Sequence, residues 1–125
     1  MKHVVSTAAP AALGPYSQGI DAGPFVFVSG QLPVDPATGE IPDDAAAQAE
    51  RAFANVRAIL AAAGLGPEHV VKTTVFLADL ADFAAVNEVY ARSFSAPFPA
   101  RSCVQAAALP RGARLEVEAI AVRPS

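Results

Sequence analysis

Hydrophobic and polar positions follow two periods along this chain, and the switches between them mark strands and helices. His3-Val4-Val5-Ser6 reads as a short strand, followed by a Pro- and Gly-punctuated loop over 8–15 that delivers Tyr16, Ser17 and Gln18. Asp21-Ala22-Gly23-Pro24 reads as a turn. The apolar run Phe25-Val26-Phe27-Val28-Ser29 predicts a strand buried on both faces, ending at Ser29-Gly30. Beyond a turn-rich loop from Pro33 to Pro42, the period lengthens. Ala49, Phe53, Val56, Leu60 and Ala63 form the apolar stripe of a helix capped by Asp43 or Asp44 and stopped at Gly64. His69 to Leu77 is β-branched and alternating, with Val71, Thr73 and Val75 on one face. Asp79 or Asp82 caps a second helix whose stripe is Phe83, Val86, Tyr90 and Phe94, with Asn87 inside it.

After the helix-barring Pro97 and Pro99, alternation returns. Arg101, Cys103 and Gln105 share one face of a strand; Ser102, Val104 and Ala106 share the other. In the last strand, Glu116 and Glu118 oppose Leu115, Val117 and Ala119. Pro110-Arg111-Gly112-Ala113 reads as a hairpin loop joining these two strands. The coarse order is therefore ββαβαββ, an α+β domain over residues 1–125. Two helices cover only one face of such a sheet, so the other face, carrying Ile120 and Val122, is expected to meet another subunit.

Composition narrows the function. A net charge of −3 argues against a nucleic-acid partner. His3, His69 and Cys103 are the only histidines and cysteine, and they are far apart in sequence, so no metal-binding spacing exists. The lone cysteine cannot form an internal disulfide, which fits the cytoplasm. No signal peptide and no stretch of membrane-spanning length is apparent. An arginine at the mouth of a strand suits a planar carboxylate held by two parallel bonds. On pattern alone, though, a surface ion pair from Arg101 to Glu116 or Glu118 across the hairpin is the plainer reading.

Pro99-Ala100-Arg101-Ser102-Cys103-Val104 followed by Leu115-Glu116-Val117-Glu118-Ala119-Ile120-Ala121-Val122 closely resembles the signature of the RidA (YjgF) family. The resemblance continues through Gly14-Pro15-Tyr16-Ser17-Gln18, Phe27-Val28-Ser29-Gly30-Gln31, Val71 to Leu77 and Asp82 to Tyr90, covering essentially the whole chain. It implies a chorismate-mutase-like fold, assembled as a homotrimer with a site in each cleft between subunits. It further implies an enamine/imine deaminase that hydrolyses 2-aminoacrylate/2-iminopropanoate and 2-iminobutanoate to 2-oxo acids and ammonia. Pyridoxal-phosphate dehydratases would supply these substrates, and the deaminase itself would need no cofactor. By the same resemblance Arg101 clamps the substrate carboxylate, and Glu116, matched by its spacing from the arginine, activates water. Tyr16, Ser29, Gly30, Asn87 and Cys103 line the pocket. A non-catalytic sensor or holdase that binds a small carboxylate is the alternative.

Overall fold

Asp44 starts the longer helix by accepting a hydrogen bond from Ala47 N at 2.7 Å, the side-chain cap that its position before an apolar stripe predicts. This helix, α1 (Ala45–Ala62), ends on Gly64, whose φ of +78° a residue without Cβ adopts at no steric cost. Leu65 N then reaches back to Leu60 O (2.8 Å) and Gly64 N to Ala61 O (2.9 Å), closing the last turn. The second helix, α2 (Phe83–Ser93), follows a single 3₁₀ turn that Asp79 caps through Ala81 N at 2.8 Å.

The computed structural model describes Met1–Ser125, all 125 residues. Six strands form one mixed sheet: β1 (Lys2–Val4), β2 (Gly19–Ala22), β3 (Phe25–Gln31), β4 (Val70–Leu77), β5 (Ala100–Gln105) and β6 (Leu115–Val122). Their spatial order is β1-β2-β3-β6-β4-β5, and only β4 and β5 run parallel. Both helices lie on one face. Leu115, Val117, Ala119 and Ala121 of β6 and Val26 and Val28 of β3 point into the core they cover. Phe53, Tyr90 and Phe94 join the helices through tilted and edge-on ring contacts with centroids 4.7–5.9 Å apart. No helix is long and apolar enough to cross a membrane.

The two-helix, one-sheet architecture agrees with the sequence reading, with one strand more. Residues 19–22 form β2 with only Ile20 as a strong apolar marker, and the turn to β3 is the two-residue Gly23-Pro24. A second difference matters more for function. The expected hairpin between the last two strands does not exist, because β4 lies between them. The chain crosses the end of β4 instead: Ala106 N bonds Leu77 O (2.8 Å) and Ala78 N bonds Arg114 O (2.9 Å). Arg101 therefore has no cross-strand glutamate. A bulge in β4 and an uncovered face of β3 also depart from the expected burial. Val71 is the extra residue where β4 slips against β6, so Val70 is buried and Val71 exposed. In β3 only one face is buried, and Phe25 and Phe27 stand on the helix-free face at 44% and 43% exposure. That open face also holds a hollow of about 280 Å³, lined by Phe27, Ile120, Lys72 and Glu118 among others.

Candidate active site

The arginine side of the site is built on the exposed edge strand β5. Arg101 is in register with Thr73 of β4, which is fully buried beneath the helices, so the arginine rises on the helix-covered face. Its guanidinium carbon lies 4.6 Å from the Tyr90 ring centroid and 5.5 Å from that of Phe83. One guanidinium N–H donates to Asn87 Oδ1 at 2.8 Å. No carboxylate lies within ion-pairing distance of Arg101, whereas Arg92, Arg114 and Arg123 are paired with Glu50, Asp82 and Asp21. A hollow of about 410 Å³ opens beside Arg101, walled by Asn87, Tyr90, Ala91, Phe98 and Pro99.

Asn87 differs from its expected place. It is exposed at the margin of the α2 stripe rather than inside it, and Phe83 is 40% exposed. Their stripe turns away from the core as α2 begins, and its solvent side is what meets Arg101. Cys103, two residues along β5, packs partly against the core. Burial pushes its thiol above the ordinary value, and the nearby Arg101 charge offsets only part of that rise. The thiol thus stays protonated and is not a ready nucleophile.

Glu116 belongs to the opposite face. It is in register with Phe76 of β4, between the core-facing Leu115 and Val117. Its carboxyl group is half-buried, and its pKa is raised, first by desolvation and then by the negative charge of Glu118. Beside it β3 bulges: Val28 pairs with Ala119 and Gln31 with Val117, leaving Ser29 and Gly30 opposite a single residue. A Cβ at Gly30 would run into the Glu116 carboxylate, so the glycine makes room for the acid. The Ser29 hydroxyl donates to Ser17 O at 2.5 Å, and Ser29 N donates to Gln18 O at 2.9 Å. These bonds tie the Tyr16 loop to the bulge, with Tyr16 itself 55% exposed.

Gln18 is a residue whose importance the sequence reading missed. It is buried, and its amide donates to Ser6 O, Ala9 O and Pro10 O while accepting from Ser6 N. It pins the loop that presents Tyr16. Nothing in a lone Gln after Tyr-Ser signals this, because its partners are main-chain groups.

The candidate residues therefore form two clusters. Arg101, Asn87 and Cys103 gather at the β5 edge on the helix side. Ser29, Gly30 and Glu116 gather around the β3 bulge, with Glu116 on the helix-free side, and Tyr16 stands on the loop whose Ser17 and Gln18 carbonyls bond Ser29. No group of three or more His, Cys, Asp or Glu side chains is spaced to hold a metal ion.

Residues 6–123 match the family described as endoribonuclease L-PSP. The chain belongs to this family. It is the RidA (YjgF) family that the sequence motifs resemble. A curated relative, the 2-iminobutanoate/2-iminopropanoate deaminase of Escherichia coli K12, is 54% identical over 98% of each chain. Among solved structures, E. coli TdcF with bound serine superposes with a TM-score of 0.95 at 50% identity, covering 99% of this chain and 100% of that one. RidA from the Antarctic bacterium Psychrobacter sp. PAMC 21119 gives 0.95 at 46% identity, covering 98% and 100%.

Proposed function

We propose that this RidA-family chain is an imine deaminase that hydrolyses short 2-imino acids, 2-iminopropanoate and 2-iminobutanoate, to 2-oxo acids and ammonia. The observation that carries the reading is the guanidinium of Arg101. It is fixed by two rings and one neutral amide, has no carboxylate partner, and faces an open hollow. Such a charge is poised for an anionic ligand of carboxylate shape. The name of the E. coli relative and the serine held by TdcF support the same substrate class.

One chain alone cannot do the chemistry, because Arg101 and Glu116 lie on opposite faces of its sheet. We infer a homotrimer in which Glu116 of one subunit meets Arg101 of the next, and the open apolar face around Phe27 and Ile120 is covered. In that cleft Arg101 holds the substrate carboxylate in a fixed pose. Glu116 takes a proton from water as the oxygen adds to the electrophilic imine carbon. A carbinolamine forms. Glu116 hands that proton to the nitrogen and then takes the carbinolamine's hydroxyl proton as the C–N bond breaks, so that ammonia leaves and the C=O bond of the 2-oxo acid forms. The raised pKa of Glu116 makes it a stronger base than an ordinary surface carboxylate. Cytoplasmic pyridoxal-phosphate dehydratases acting on serine or threonine are the expected suppliers of substrate.

The test is a coupled assay. A dehydratase generates the imine, and release of 2-oxo acid is followed with and without this protein. Acceleration that scales with protein concentration is expected. An unchanged release rate would refute the proposal.

A further inference from the structure

Phe83 is a half-exposed aromatic at the first position of α2, where a soluble helix ordinarily presents a polar residue. An exposed phenyl ring needs no explanation by itself. This one stands beside the guanidinium of Arg101, with Tyr90 nearer and Asn87 accepting from an N–H. Phe83, Asn87 and Tyr90 are spaced i, i+4, i+7, so a single stripe of α2 makes the whole seat.

The seat is locked from both sides. The Tyr90 hydroxyl shares a 2.7 Å hydrogen bond with Thr73 Oγ1, the residue in register with Arg101 on β4. Leu80 N donates at 2.9 Å to the Gln105 side-chain carbonyl, tying the turn before α2 to the end of β5. Arg114 lies 3.7 Å from Asp82, immediately before Phe83. The helix start and the arginine strand are thus fixed to each other. Phe83 adds a second ring beside the long, flexible arginine side chain, 5.5 Å from its guanidinium carbon.

We propose that Phe83 is a positioning residue for carboxylate binding: its ring, with Tyr90, holds the Arg101 guanidinium in a substrate-ready orientation without neutralising its charge. A carboxylate at that place would fix the arginine as well but would occupy the donors and cancel the charge that the ligand needs. A ring does neither. The inference rests on the proposed carboxylate-binding role of Arg101.

The experiment compares Phe83→Leu and Phe83→Tyr with the unaltered protein in the coupled assay, with titration by 2-oxobutanoate in parallel. Leucine suits the helix and removes only the ring; tyrosine keeps the ring and turns its hydroxyl to solvent. Phe83→Leu should raise KM and weaken 2-oxobutanoate binding about three- to tenfold. Its kcat should stay near normal, because the carboxylate is held alike before and during the reaction. Phe83→Tyr should restore both values. Thermal melting and assembly state, unchanged across the series, exclude a folding effect. An unchanged KM and affinity in Phe83→Leu, a loss confined to kcat, or a Phe83→Tyr as impaired as the leucine variant would overturn the proposal. Arg101→Ala separates the underlying reading. If removing the arginine alters neither KM nor 2-oxobutanoate binding, the carboxylate role of Arg101 itself fails, and the role of Phe83 with it.

Discussion

A guanidinium can be held in place by opposite charge or by geometry, and the choice determines what it can do. Arg123 is held by charge: its N–H groups reach Asp21 at 2.6 Å and Ala63 O at 3.1 Å, and it joins β2 to the end of the chain. Arg101 is held by two rings and an amide, which leaves its net charge available. Arg101→Lys tests whether the fork itself matters. An ammonium keeps the charge but cannot make two parallel bonds to a carboxylate. Loss of about 1.5–3 kcal/mol of charge-assisted bonding corresponds to roughly ten- to a hundredfold in kcat/KM. Melting should scarcely change, since Arg101 is exposed. Near-normal kcat/KM in the coupled assay would show that only the charge counts. At this scale the sequence was informative about which residues to examine, but not about their partners. Strand parity put Arg101 and Cys103 on one face, as found. It could not reveal that Arg101 stacks on Phe83 and Tyr90, because the same i, i+7 spacing describes an ordinary core stripe.

Among the elements, β6 carries the proposed acid chemistry. Glu116 and Glu118 share its helix-free face, and alternation cannot choose between them. The β3 bulge supplies a physical distinction: Gly30 yields its side-chain space to Glu116, while Glu118 faces the hollow that contains Lys72. Glu116→Gln should therefore cut kcat by about 10²–10⁴ and still bind a 2-oxo acid, whereas Glu118→Gln should keep turning over. The two residues are coupled through charge, which gives a pH signature. As the proposed base Glu116 would act only when ionised, and in the chain its pKa lies above the ordinary 4.5. Glu118→Gln should move the acid limb of kcat/KM downward by removing a like charge. Stability should run the other way. A raised carboxyl pKa favours the folded state in acid, and that contribution is lost as pH rises through the folded-state value. Glu116→Gln should then melt higher than the parent at neutral pH, with the difference shrinking as pH falls through the raised value and essentially gone below 4.5. An acid limb that does not move in Glu118→Gln would separate the two glutamates electrostatically. The bulge that draws this distinction was only half legible. Ser-Gly at a strand end is compatible with a bulge, which is found, but does not reveal that Gly30 leaves its side-chain space to Glu116.

For the molecule as a whole, the decisive fact is the strand order. A hairpin between β5 and β6 would have put Arg101 beside the glutamates. The crossing over β4 instead sends arginine and glutamate to opposite faces. Local pattern could not show this, since two strands joined by a short loop look alike whether or not a third strand lies between them. The consequence can be tested with two inactive chains. Arg101→Ala retains Glu116, and Glu116→Gln retains Arg101. In a cyclic trimer every interface is head-to-tail, so one chain offers its arginine side and the next its glutamate side. Co-assembled in equal amounts, the two variants place an intact pair at about a quarter of the interfaces if chains mix at random. Coexpression should therefore restore about a quarter of the parental kcat/KM. Each variant alone should remain nearly inactive. Size and mass of the mixed particles, measured alongside, establish that the chains have exchanged. Exchanged trimers without recovered activity would mean that Arg101 and Glu116 do not meet across a subunit boundary.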